Sequence, residues 1–127
     1  MGYRSVVKLA LRKQAYYDNK ANLLESIKDC DIISETDEAY FFLWEDVKWY
    51  PSYGDVKAVE EVMDSLKEEE YGFMRIGEET NDVEEKGEPW EYGIYMNREF
   101  SQNDEEDEID KEEFFKPNSI KFIKEDA

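Results

Sequence analysis

Histidine is absent from this chain of 127 residues, and cysteine occurs once, at Cys30. Without histidine, no Ser–His or Cys–His dyad can be assembled within the chain. A single cysteine excludes an internal disulfide and a cysteine-based zinc cluster, and suits a reducing compartment. Following the helical stretch that closes on Lys28-Asp29, Cys30 reads as a small buried residue rather than a nucleophile. No apolar run approaches the about 18 residues that a membrane helix needs, and no signal-peptide pattern is present. The expectation is a soluble protein of the cytoplasm with no membrane partner. Met1-Gly2 is followed by Val6 where N-myristoylation needs Ser or Thr, which argues against a lipid anchor. Gly72, Gly77, Gly87 and Gly93 are dispersed and form no phosphate-cradling loop. The sequence therefore predicts no enzyme and no cofactor.

Positive charge is also scarce. Sixteen Lys and Arg stand against 34 Asp and Glu, a net charge of −18. The imbalance is uneven: residues 1–30 carry six basic and three acidic side chains (+3), residues 31–99 six and 21 (−15), and residues 100–127 four and ten (−6). Such a chain repels nucleic acid and anionic membrane and is attracted to basic protein surfaces. Disordered acidic chains are poor in aromatics, whereas this one has three Trp, nine Tyr and seven Phe, so its body should fold. Leu, Ile and Val are few, which leaves much of the core to aromatic rings.

Periodicity predicts a mixed order of elements. Tyr3 to Leu11 alternates as a strand, and residues 14–28 switch to helical spacing with Tyr16, Leu23, Leu24 and Ile27 on one side. Asp31 to Thr36 reads as a strand, Asp37-Glu38 as a tight turn, and the aromatic run Ala39 to Trp44 as a central strand buried on both faces. Ser52 and Asp55 are spaced like a capping box ahead of a helix carrying Val56, Val59, Val62, Met63 and Leu66, extending to about Glu69. Tyr71 to Ile76 is the next strand, Gly77 to Pro89 a charged loop, and Trp90 to Met96 a half-buried strand. The order β-α-β-β-α-β-β gives an α+β fold, an antiparallel sheet of about five strands with two helices on one face, a variant of the ferredoxin-like sandwich.

The expected organisation is a single domain over 1–100 and an acidic tail over 101–127. Eight acids fall within Asp104 to Glu113, and Phe114, Phe115, Ile120, Phe122 and Ile123 follow around Pro117. Five large apolar residues suggest that this segment folds back onto the domain, the favoured reading, or docks into a partner. The candidate partner-binding residues are Glu45, Asp46, Glu60, Glu61, Asp64, Glu68, Glu78, Glu79, Asp82, Glu84 and Glu85. The carboxylates of 78–85 suit calcium or magnesium in ligand type, but lack the spacing of a calcium loop. Trp44, Trp49 and Tyr50 read as core and corner packing. Arg75, between Met74 and Ile76, should point away from their face and pair with nearby acids. The basic group Arg4, Lys8, Arg12 and Lys13 should pair with the acidic remainder.

Three blocks carry a family resemblance: Met1-Gly2-Tyr3-Arg4-Ser5; Trp44 to Tyr50 with Ser52-Tyr53 and Asp55-Val56; and Tyr71 to Glu79 with Asp82 to Gly87. Together they resemble a family of small phage and prophage proteins. That resemblance implies a phage origin and a bacterial host cytoplasm but no activity. The function expected is therefore an acidic, phage-encoded interaction protein. It would occupy a basic, nucleic-acid-binding surface on a host defence protein, such as restriction or CRISPR machinery, by mimicking nucleic acid rather than binding it. Two further readings stand beside it: a metal-binding module or small metal-dependent enzyme using the 78–85 carboxylates, and an accessory protein that forms homo-oligomers through Phe114 to Ile123.

Overall fold

The computed structural model describes residues 3–50, 52–79, 81–94 and 106–115. Six strands form one sheet: β1 (Ser5–Arg12), β2 (Ile32–Glu35), β3 (Ala39–Val47), β4 (Tyr71–Ile76), β5 (Val83–Gly87) and β6 (Asp107–Ile109). Their order is β5-β4-β1-β3-β2-β6, and every neighbouring pair is antiparallel. Helix α1 (Lys13–Ile27) links β1 to β2, and α2 (Gly54–Ser65) links β3 to β4. The inner order β4-β1-β3-β2 is two interlocked split β-α-β units, the ferredoxin-like arrangement, with one strand added at each edge.

Alternation along β1 divides the core in two. Val7, Leu9 and Leu11 face the helices with Phe42, Trp44 and Phe73 of the neighbouring strands. They meet Tyr16, Leu23 and Ile27 of α1 and Val56, Val59, Val62 and Met63 of α2. Leu24 lies off the buried stripe of α1 and is exposed, contrary to its expected place on the apolar side. On the reverse face, Ala10, Ala39, Phe41, Met74 and Ile76 pack with Tyr92 and Ile94. Trp44 and Trp49 stack edge to face with centroids 5.2 Å apart, as the packing role expected of them requires.

Four local expectations are corrected. The fifth strand is not Trp90 to Met96: Pro89–Tyr92 is a 3-10 turn closed by Gly93 at φ 76°, Trp90 is exposed, and Met96 lies outside the described residues. Proline at the head of that segment removes a ladder donor and favours a turn. The strand is Val83–Gly87, within the stretch expected to be a loop. Its charges are compatible with an edge strand, and Glu84 stands directly opposite Arg75 on β4. The Ser52–Asp55 capping box does not form, because Tyr53 is the N-cap of α2. Nor does α2 reach Glu69: it ends at Ser65, and Glu68–Glu70 is a separate 3-10 turn.

Residues 106–115, placed in the acidic tail by composition, are part of the sheet and its helical layer. Strand β6 pairs with β2, and α3 (Lys111–Phe114) sets Phe114 against Tyr16, Tyr40 and Phe42. The apolar positions Ile120, Phe122 and Ile123 lie outside the described residues. What fastens this segment is Glu106. Its carboxylate accepts from the Lys8 ammonium at 3.0 and 3.1 Å and from the Ser34 hydroxyl at 2.7 Å, and the Lys8 and Glu106 side chains are 4% and 0% exposed.

Removing one member of such a buried pair strands the other charge, a loss of about 3–5 kcal/mol. Glu106→Ala is expected to lower the unfolding free energy by about that much in chemical denaturation. The double variant Lys8→Met with Glu106→Leu should retain more stability than either single change. Single variants as stable as the parent protein would remove the assigned role.

Candidate functional site

Among the described residues, a concavity that draws on distant parts of the chain lies between α2 and the β4–β5 edge. It is a cleft of about 600 Å³. Its position follows from the topology: α2 packs on the helical face while β5 extends the sheet past it. The side chains of Arg75, Glu84 and Lys86 rise from that face beside the helix.

A chain of polar contacts forms one side of the cleft. The Tyr3 hydroxyl donates to Asp82 Oδ2 at 2.6 Å. The Arg75 guanidinium donates to Asp82 Oδ1 at 2.8 Å, to Glu84 Oε1 at 3.0 Å and to the Ser5 hydroxyl at 3.1 Å. Lys86 bonds Glu60 and lies 3.7 Å from Glu84 Oε2. The Trp49 indole N–H donates to the other oxygen of Glu60 at 3.3 Å, and the Tyr50 hydroxyl accepts from the Tyr3 amide at 2.6 Å. The pairing of Arg75 with nearby acids is thus as the sequence indicated. Gly77 belongs to the same arrangement: a Cβ there would fall 2.2 Å from Asp82 Oδ2 and 2.5 Å from the Tyr3 hydroxyl.

Electrostatics agree with this geometry. The Asp82 hydrogen bond raises the Tyr3 phenol above its ordinary pKa. Arg75 is also raised, first by its bond to Asp82, then by Glu84, against the opposing effect of burial. Burial pulls the Lys86 ammonium down, but the Glu60 hydrogen bond and the fields of Glu60, Glu84 and Asp64 more than reverse it. The shifts thus trace mainly to the carboxylates that pair with each group.

The eleven candidate acids separate into distinct places. Glu60, Glu61, Asp64, Asp82 and Glu84 line the cleft, and Glu60, Asp82 and Glu84 are engaged in the internal pairs just described. Glu45, Asp46 and Glu78 surround Arg4 in a shallower depression, where the Glu78 carboxylate accepts from the Arg4 amide at 2.6 Å. Glu68, Glu79 and Glu85 are exposed and line neither concavity. The 78–85 carboxylates do not converge on a cation site: Asp82 and Glu84 hold Arg75, and Glu85 alternates to the other face of β5. Among the described residues no group of three or more His, Cys, Asp or Glu could hold a metal ion.

Sequence reasoning missed Lys86, Tyr3 and Ser5 as cleft residues. A usable signal was present, since the three blocks noted above meet here: Tyr3 and Ser5 from the first, Trp49 and Tyr50 from the second, Arg75, Asp82, Glu84 and Lys86 from the third. No family model, curated protein or solved structure matches the chain. The fold assignment accordingly rests on topology, and any function on the geometry of the site.

Cys30 is buried outside the cleft, its thiol pushed up to about 12 first by desolvation. Its protonated form contributes full stability below its ordinary value of 9.0, a contribution lost as pH rises towards 12. Alkylation of the native protein near neutral pH should be more than about tenfold slower than of the denatured chain. Equal rates in a mass-spectrometric time course would contradict that environment. For the cleft, Arg75→Met should cost about 1–2 kcal/mol in urea unfolding, with solvent screening keeping the loss below that of a fully buried pair. No change in midpoint would show the network to be energetically idle.

Proposed function

We propose that this protein is a non-enzymatic interaction module whose acidic surface docks on a basic, nucleic-acid-binding surface of another protein, occupying it as a nucleic-acid mimic. The observation that carries the reading is where the scarce cations go. Lys8 is buried with Glu106, Arg75 is held between Asp82 and Glu84, Lys86 is bound to Glu60, and Lys13 pairs with Glu35 at 2.8 Å. With those cations engaged, the exposed Arg4, Arg12, Lys28, Lys57 and Lys67 are outnumbered by exposed carboxylates on ordered backbone. Examples are Glu61 and Asp64 on α2, Glu68 and Glu69 in the following turn, Glu78 and Glu79 before β5, and Asp107 and Glu108 on β6. Carboxylates held at fixed positions on a folded frame provide the same long-range, salt-sensitive attraction to a basic surface that phosphates do. The resemblance to phage proteins makes a bacterial defence protein the expected partner.

The test exposes the immobilised protein to a bacterial lysate at low and at high salt. Basic, nucleic-acid-binding proteins should be retained at low salt and released by high salt and by added duplex DNA. Recovery of no such protein at either salt would sink the proposal.

A further inference from the structure

We infer that the cleft between α2 and β5 receives an arginine side chain projecting from the basic surface of a protein partner. This deepens the proposed function and rests on it: it names the point at which the acidic surface grips its target.

Charge complementarity selects the ligand. Five carboxylates line the cleft (Glu60, Glu61, Asp64, Asp82 and Glu84) against three cations (Lys57, Arg75 and Lys86), an excess of two negative charges. An anionic ligand would need a free cation at depth. Arg75 is already held by Asp82 and Glu84, and Lys86 by Glu60 and Glu84, so only Lys57, exposed on α2, remains. Two carboxylates, in contrast, are available to a cation. The carboxylates of Glu61 and Asp64, exposed on α2, make no hydrogen bond or ion pair among the described residues, although Asp64 adds to the field on Lys86.

Shape and wall chemistry narrow the cation to a guanidinium. Tyr3, Trp49 and Tyr50 contribute aromatic surface beside the carboxylates. A planar, weakly hydrated guanidinium can lie against a ring while donating in a fork to a carboxylate, which a compact ammonium cannot do. At about 600 Å³ the cleft can admit the side chain together with part of its backbone.

The experiment is a titration of the full-length, 15N-labelled protein with a capped tri-arginine peptide, followed through its indole N–H signals. Tri-lysine and triglutamate peptides are run alongside. The Trp49 indole, which bonds Glu60, should shift in a saturable way with tri-arginine, more weakly with tri-lysine and not with triglutamate. Trp44 and exposed Trp90 should stay nearly unmoved. Glu61→Gln with Asp64→Asn, both on exposed positions, should weaken tri-arginine binding about tenfold. Asp107→Asn with Glu108→Gln, on the other edge of the sheet, should leave it unchanged. Shifts spread over the whole acidic surface, or equal losses in the two double variants, overturn the arginine site while leaving the wider reading standing. Loss of lysate capture by both double variants, with no peptide shift at Trp49, has the same meaning. If the protein binds neither tri-arginine nor any basic protein at low salt, the wider reading fails with it.

Discussion

A lysine in the middle of a central strand has to be neutralised before the sheet can be covered on both faces. Lys8 sits on β1, flanked by β3 and β4, and its side chain enters the reverse face between Leu43 and Met74. Leaving that ammonium alone in an apolar layer would be prohibitive. Glu106 supplies the countercharge, Ser34 fills a further position on the carboxylate, and the ring of Phe41 lies 5.3 Å from the ammonium. This one pair ties residues 98 positions apart and brings β6 to the edge of β2. From there α3 can press Phe114 onto Tyr16, Tyr40 and Phe42.

The same principle recurs at lower burial on the other side of the molecule. Arg75 and Lys86 project from β4 and β5 beside α2, where each draws carboxylates from different elements. Glu84 opposite Arg75 helps fix the β4–β5 pairing, and Glu60 links β5 to the helix. Close backbone packing supports this edge. A Cβ on Gly72 would come within 2.7 Å of the Pro89 Cα, and at Gly87, where φ is 68°, a Cβ would fall 2.4 Å from the Tyr71 carbonyl oxygen. Ion pairing and glycine therefore act together to let a highly charged strand lie flat against β4.

Much of the fold was legible because burial leaves a pattern in residue type. The aromatic run of β3, the alternation in β1 and the stretch Tyr71–Ile76 located three strands, the last at its observed limits and β3 three residues short of its end at Val47, and the valines of α2 marked its buried face. Val83–Gly87 and Asp107–Ile109 were not legible, because edge strands can be charged and their pairing partners are remote in sequence. Lys8 did leave a sign. It is the one charge between Val6 and Leu11, and a strand covered on both faces must pair it. Composition concealed Glu106, which looks like any other acid in its block. The cleft was half visible: Arg75 and its acids were foreseen, whereas Tyr3 and Lys86 enter only through the meeting of three distant segments.

Net charge by itself says little about a surface until the locations of the counterions are known. Had Lys8, Lys13, Arg75 and Lys86 been spread over the exterior, they would have diluted the carboxylates there. Placing them in pairs instead uses cations and a matching set of acids to build the fold. Each such pair is nearly neutral as a unit, so the long-range field is left to acids outside these pairs, such as Glu61, Asp64, Glu78, Glu79, Asp107 and Glu108. The acids engaged in these internal pairs and those left at the surface are thus largely different residues. That separation allows the surface set to be neutralised one by one with little loss of stability, whereas removing a member of the paired set acts on the fold first.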